Sequence, residues 1–211
     1  MKFGGPLQAP DLEQEFERLR EELPAGAIAV TGARGGEGVT TVALGIARAL
    51  AARGPTLLAE GHLRRPTLAQ RLGLQGPGLL DWDRTGALPV LDLPEVPGLS
   101  VLCGGESSAR ELGHDDRPTL LGAAARQARA QFAQVIWDTP PLTLHPDLLG
   151  LAPGIDGALV VVEMDRSRQD ELQFLRDVLA RAQIPILGSL LNRSGRYWPR
   201  PRRQPVFGAP R

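Results

Sequence analysis

The chain has 211 residues, with 24 Lys+Arg balanced by 24 Asp+Glu. That length suits one α/β domain with a substantial core, and the balance removes any global pull toward nucleic acid or membrane. A single cysteine, Cys103, excludes an intrachain disulfide framework and suits the cytosol; the start, Met1 to Pro6, lacks the apolar core of a signal peptide, and no apolar run is long enough to span a membrane.

Residues 1–10 form a loose lead-in. Asp11 to Leu23 is predicted as a charged helix, with Leu12, Phe16, Leu19 and Leu23 on one face and Asp11 as N-cap. Pro24-Ala25-Gly26 ends it. An alternation follows: strand 27–31, helix 39–53 closed by Gly54-Pro55, strand 56–60, and a short helix at 66–72. The segment 74–98 is rich in Pro, Gly and Asp and is predicted as loop with at most short structure. Leu99 to Cys103 reads as a strand stopped by Gly104-Gly105. Helix 117–132 leads into strand Gln134–Asp138. Strand 157–163 is apolar almost throughout, as a strand buried on both faces should be. Helix 167–182 and strand 185–191 complete the set. Strands alternating with helices predict an α/β fold with a mostly parallel sheet sandwiched by helices. From Ser194 the chain turns basic and proline-rich and is predicted to be disordered in isolation. The expected organisation is a lead-in and helix over 1–23, one domain over 24–193 and a tail over 194–211.

Three motifs carry candidate chemistry. The first strand runs into Thr31-Gly32-Ala33-Arg34-Gly35-Gly36-Glu37-Gly38-Val39-Thr40-Thr41. The spacing Ala33-x4-Gly38-x-Thr40 is that of a phosphate-binding P-loop, with valine where the lysine belongs. Backbone N–H groups of Gly35, Gly36, Glu37, Gly38, Val39, Thr40 and Thr41 are the candidate phosphate cradle, at a helix N-terminus whose dipole favours anions. The Thr40 hydroxyl either ligates Mg²⁺ or caps the helix. The other reading is an ordinary βα turn. The one lysine in the chain is Lys2, so only Lys2 or a partner chain can supply the missing one. The second motif, Val135-Ile136-Trp137-Asp138-Thr139-Pro140-Pro141, has the form of a Walker-B strand in which Asp138 holds a water on Mg²⁺; otherwise Asp138 caps the next turn. In the third, Leu57-Leu58-Ala59-Glu60-Gly61-His62-Leu63-Arg64-Arg65-Pro66, a strand ends in a carboxylate beside the first and then meets two arginines.

Together these motifs resemble the cytoplasmic domain of bacterial tyrosine kinases of capsule and exopolysaccharide synthesis, within the ParA/MinD-like P-loop group. The resemblance covers roughly residues 11–193. It includes Phe16 to Arg20, Gly36-Glu37-Gly38, Leu63-Arg64-Arg65-Pro66, Gly104-Gly105 to Glu111-Leu112, Asp138-Thr139-Pro140-Pro141, Asp156-Gly157 and Gly188 to Asn192. It implies a P-loop NTPase fold, ATP or ADP with Mg²⁺ as cofactors, Thr40, Asp138 and Glu60 as the metal-side residues, and Asn192 as the reader of adenine.

The departures gather where the chemistry would sit. The loop lysine is Val39. The matching position of the ParA/MinD signature lysine carries Arg34, a candidate replacement. Where the family's second strand ends Asp-x-Asp, this chain has Glu60 and His62, the latter read as a solvated loop histidine or a base. In the helix of the family's ring-assembly motif Glu-x-x-Arg-x-x-Arg, the matching residues are Gln14, Glu17 and Arg20. The C-terminal tyrosine cluster is reduced to Tyr197. Losing a cation aimed at the transferring phosphate costs ~3 kcal/mol, roughly a hundredfold in rate.

The expected function is therefore a catalytically impaired, pseudokinase-like P-loop protein. It would act as a regulatory or scaffold partner in exopolysaccharide or capsule synthesis and export. Its expected partners are the cytoplasmic part of a membrane polysaccharide co-polymerase or an active kinase paralogue, with homo-oligomers open and no nucleic acid. It would be cytoplasmic and recruited to the inner face of the plasma membrane, with the basic tail touching that partner or anionic lipid, or simply solvated. Two alternatives stand beside it: an active ATP-dependent tyrosine kinase or ATPase using Arg34, Glu60 and Asp138, and a ParA/MinD-like positioning ATPase.

Overall fold

The computed structural model describes residues 10–105, 116–141 and 144–192. Apolar β-branched and leucine runs give seven strands: β1 (Gly26–Gly32), β2 (Thr56–Glu60), β3 (Leu91–Asp92), β4 (Leu99–Leu102), β5 (Gln134–Asp138), β6 (Gly157–Glu163) and β7 (Ile186–Asn192). They form one sheet in the order β3-β4-β2-β5-β1-β6-β7, parallel except for β3, which pairs antiparallel with β4. The α-helices are α1 (Pro10–Glu22), α2 (Val39–Ala51), α3 (Leu68–Leu72), α4 (Asp116–Gln131) and α5 (Gln169–Arg181).

The pleat sorts the central strands into two cores. Ala27, Ala29, Val135 and Trp137 face a layer with α4 residues Leu120, Leu121 and Ala124 and α5 residues Leu175 and Leu179. Ile28, Val30 and Ile136 face the opposite layer, with Val42, Ala43, Ile46 and Leu50 of α2. This two-sided burial explains why the central strands carry continuous apolar runs. β1 sits between β5 and β6, in register Val30↔Asp138 and Val30↔Leu159. The loop after β1 therefore lies at the carboxyl edge of the sheet, beside the end of β5.

α1 is seated on α2 through Phe16, Leu19 and Leu23, which pack against the α2-side core. Its Arg20 guanidinium donates to the Ala49 carbonyl at 3.2 Å and pairs with Glu17. Gly45 makes the seat: a Cβ there would lie 2.2 Å from the Phe16 ring. Gly45→Ala should push α1 off α2 and cost about 1–3 kcal/mol. Urea unfolding would read this as a lower midpoint, and an unchanged midpoint would mean that α1 does not rest there.

Several boundaries differ from expectation. α1 begins at Pro10, so Asp11 lies inside the first turn and is not the N-cap; a proline at the first helical position loses no intrahelical bond. α3 starts at Leu68, not 66, and α5 at Gln169, not 167. The segment 74–98 holds a 3-10 turn over Leu79–Asp81 and the two-residue β3. A nine-residue 3-10 helix, Pro146–Gly154, has no counterpart in the sequence reading. The tail from Ser194, with Tyr197, and the segment around Glu111-Leu112 lie outside the described residues. No helix among the described residues is long and apolar enough to cross a membrane.

Candidate functional site

The loop from Gly32 to Val39 is built on left-handed glycines: φ is 102° at Gly35, 87° at Gly36 and 89° at Gly38, the last serving as N-cap of α2. Only glycine takes these angles without strain. The sequence reading gave Glu37 a backbone role alone, yet its side chain is the most heavily bonded of the loop. One carboxylate oxygen, Oε1, accepts the N–H groups of Ala33 at 2.9 Å and Arg34 at 3.0 Å. Its Oε2 accepts the N–H of Gly35 at 3.0 Å. Asn192, at the end of β7, donates its Nδ2 to the Glu37 carbonyl at 2.6 Å. The adenine-reading candidate thus lies against the loop itself. A Cβ on Gly38 would sit 2.3 Å from that Nδ2, so the close approach requires glycine.

Asp138 ends β5 with its carboxyl buried, and the Thr40 hydroxyl donates a hydrogen bond to it. Burial pushes its pKa up to about 7; the Thr40 bond pulls down and the nearby Glu60 charge pushes further up. The strand exit is fastened on both sides. Thr139 donates through N–H (3.1 Å) and hydroxyl (2.8 Å) to the Val30 carbonyl. Thr31 donates its hydroxyl to the Pro140 carbonyl at 3.2 Å, and the Gly61 N–H donates to the Asp138 carbonyl at 2.7 Å.

Glu60 is fully buried. Its Oε1 accepts the N–H groups of Thr67 and, at 3.1 Å, Leu68; Oε2 accepts that of Gly104 at 2.8 Å. Burial holds the carboxyl above its usual range, and the three backbone bonds pull it back. The side chain caps α3 and ties β2 to the turn after β4. Glu60→Ala would strand three backbone donors, two of them fully buried, and should cost about 3 kcal/mol or more. Thermal unfolding checks this; a loss within 0.5 kcal/mol, an ordinary surface value, would contradict the anchoring geometry.

The remaining candidates are drawn elsewhere. Arg34 donates Nη1 to the Arg166 carbonyl at 3.0 Å and lies 3.5 Å from Glu171 through Nε, so its guanidinium spans to the β6–α5 connection and α5. Val39 is almost fully buried and joins the α2-side core. His62 is not simply solvated; its ring packs on that of His145, centroids 5.3 Å apart and tilted by 41°. The structure therefore gathers Thr40 and Asp138 at the loop, sets Glu60 one strand away in a cap, and carries Arg34 outward. The Thr40–Asp138 pair, a hydroxyl beside a buried carboxyl at the end of a parallel strand, fits a hard cation such as Mg²⁺. The left-handed glycines fit a close-lying phosphate.

A seven-stranded, mostly parallel sheet with a glycine-rich loop between β1 and α2 and an acid ending β5 is the fold of the MinD/ParA-like P-loop NTPases. The relatives by sequence are bacterial tyrosine kinases. The chain is 26% identical over 188 residues to the tyrosine-protein kinase YwqD of Bacillus subtilis, a match covering 84% of this chain and 76% of that protein. It is 25% identical over 203 residues to the tyrosine-protein kinase CpsD of Streptococcus agalactiae, covering 88% and 85%. Among solved structures, the chimerical protein CapA2B2 superposes with a TM-score of 0.69 at 21% identity, covering 89% of this chain and 87% of that one. The cell division ATPase MinD of Pyrococcus furiosus gives 0.67 at 26% identity, covering 81% and 73%. The kinase domain of the Escherichia coli tyrosine kinase ETK gives 0.67 at 20% identity, covering 84% and 72%. No family model matches the chain. The resemblance to bacterial tyrosine kinases within the ParA/MinD-like group, drawn from the motifs, is borne out.

Proposed function

We propose that this chain is a catalytically impaired relative of the bacterial tyrosine kinases, kept as a regulatory or scaffold module in exopolysaccharide or capsule synthesis. The observation that carries the reading is the fate of the two cation positions. Val39 is packed into the core where the loop lysine belongs, and the Arg34 guanidinium is held by the Arg166 carbonyl and Glu171. Phosphoryl transfer is mostly positioning and charge stabilisation, so a loop lacking that cation loses its main lever. The commitment of Glu60 to three backbone donors supports the same reading, since it draws that carboxylate into a structural role. Thr40 and Asp138 would still hold Mg²⁺, and the loop amides from Gly36 onward a nucleotide; the cation would supply neutralisation of phosphate charge. Asn192 would position the loop beneath the base. The partner is the cytoplasmic part of a membrane polysaccharide co-polymerase or an active kinase paralogue, which would bring the module to the inner face of the membrane. Calorimetric titration with Mg-ATP and Mg-ADP, with Asp138→Ala as control, and an ATP hydrolysis assay test it: Asp138-dependent turnover by the purified chain would refute it.

The intact Thr40–Asp138 pair favours a second reading, an active ATP-dependent tyrosine kinase or ATPase that borrows its cation. An Arg34→Ala variant that loses measurable ATPase would support it. The similarity to MinD favours a third, a positioning ATPase; failure to pair with any co-polymerase, together with turnover, would speak for that one.

A further inference from the structure

Glu37 presents an arrangement that neither the phosphate-cradle role nor the loss of lysine accounts for. Three consecutive N–H groups, of Ala33, Arg34 and Gly35, converge on its carboxylate. Consecutive backbone donors of this kind form a concave anion site, and a carboxylate within it makes charge-assisted bonds. The side chain is 1% exposed, and a Cβ on Gly32 would lie 2.1 Å from its Oε2. The carboxylate is thus sealed on the core side of the loop, away from the solvent side by which a nucleotide would arrive. From the far end, Asn192 grips the carbonyl of the same residue. Side chain and backbone of Glu37 together span the loop from its first turn to the edge strand β7.

We propose that Glu37 is an internal organising anion, which locks the loop in a single conformation whether or not nucleotide is present. A carboxylate of the loop itself balances three of its converging amides. The inference rests on the reading of the chain as a binding module and specifies its regulation: the surface it presents does not switch with nucleotide state.

Amide hydrogen exchange on the full chain, free of nucleotide, tests this. The Ala33, Arg34 and Gly35 amides should exchange roughly tenfold to a hundredfold more slowly than exposed loop amides. Millimolar Mg-ADP should leave them unchanged. Glu37→Ala should release all three, and Glu37→Gln, whose amide nitrogen cannot accept, should release one side of the carboxylate's set. Fast exchange in the unmodified protein overturns the proposal without need of a variant that folds. Retained protection in Glu37→Ala, or a tenfold gain in protection on adding Mg-ADP, overturns it as well. The reading of the chain as catalytically impaired fails by a separate measurement, ATP turnover, so the two are told apart.

Discussion

Asp138→Asn should make the metal-free protein more stable at pH 8 and leave its stability at pH 4 almost unchanged. The Asp138 carboxyl ordinarily titrates at 3.8 but is pushed up to about 7 in the fold, chiefly by burial. Between those values the folded state holds a proton that the unfolded chain has released. The folded state then binds more protons, so stability falls as pH rises through the window and levels off above about 7. A shift of this size corresponds to on the order of 4 kcal/mol. Asparagine has no proton to lose and escapes the slope. For a chain of this length that difference is on the order of 10 °C in unfolding temperature at pH 8. Thermal melts of both proteins from pH 4 to pH 8 in chelator would show it, and parallel curves would contradict the buried placement of this carboxyl. Saturating Mg²⁺ adds a second readout. A cation at the Thr40–Asp138 pair favours the ionised carboxylate, so it should flatten the wild-type slope, and an unchanged slope would remove this pair as a metal site.

What the sequence made legible, and what it hid, divides along the distance over which each interaction acts. The strand 56–60 emerged with its predicted ends, and 134–138 likewise, because apolar runs bounded by Gly, Pro and Asp are local signals. The fold class followed from their alternation with helices. The two-residue β3 exists only through pairing with β4, and nothing within a Pro- and Gly-rich stretch announces that. The 3-10 helix Pro146–Gly154 was hidden by its two prolines, and it rests on close backbone approach: a Cβ on Gly150 would meet the Pro118 backbone at 2.5 Å, and one on Gly154 the Ala125 side chain at 2.5 Å. At the site, the loop, Thr40 and Asp138 were legible by spacing. The role of Glu60 was not, because Gly104 approaches it from 44 residues away. Nor was the grip of Asn192 on Glu37, 155 residues apart. The Glu37 carboxylate did leave a local trace. An acid two to four residues after candidate donors, in a run of glycines free to turn their N–H groups inward, is the pattern of a side chain that bonds back to its own backbone.

Val39→Lys should raise affinity for Mg-ATP and Mg-ADP by roughly tenfold to a hundredfold, the worth of restored charge-assisted bonds to phosphate. Position 39 opens α2, directly after the left-handed Gly38 and alongside the loop. A lysine there keeps an aliphatic stem against the core that valine now fills, while its ammonium reaches out over the loop. Removing a β-branched side chain from the core should cost about 1 kcal/mol of stability, small beside the gain in binding. Turnover should nevertheless stay at background, because the lysine is one of three changes. The Glu60 carboxylate remains bonded to Thr67, Leu68 and Gly104, and His62 remains packed on His145. Tight nucleotide binding without hydrolysis would thus separate the loss of phosphate affinity from the loss of chemistry. If the single substitution also restored hydrolysis, the lysine alone would be the missing part, and Glu60 would have to serve the reaction despite its backbone bonds. If affinity did not move, the glycine loop would not be a phosphate site, and the search for function would pass from nucleotide to protein partner.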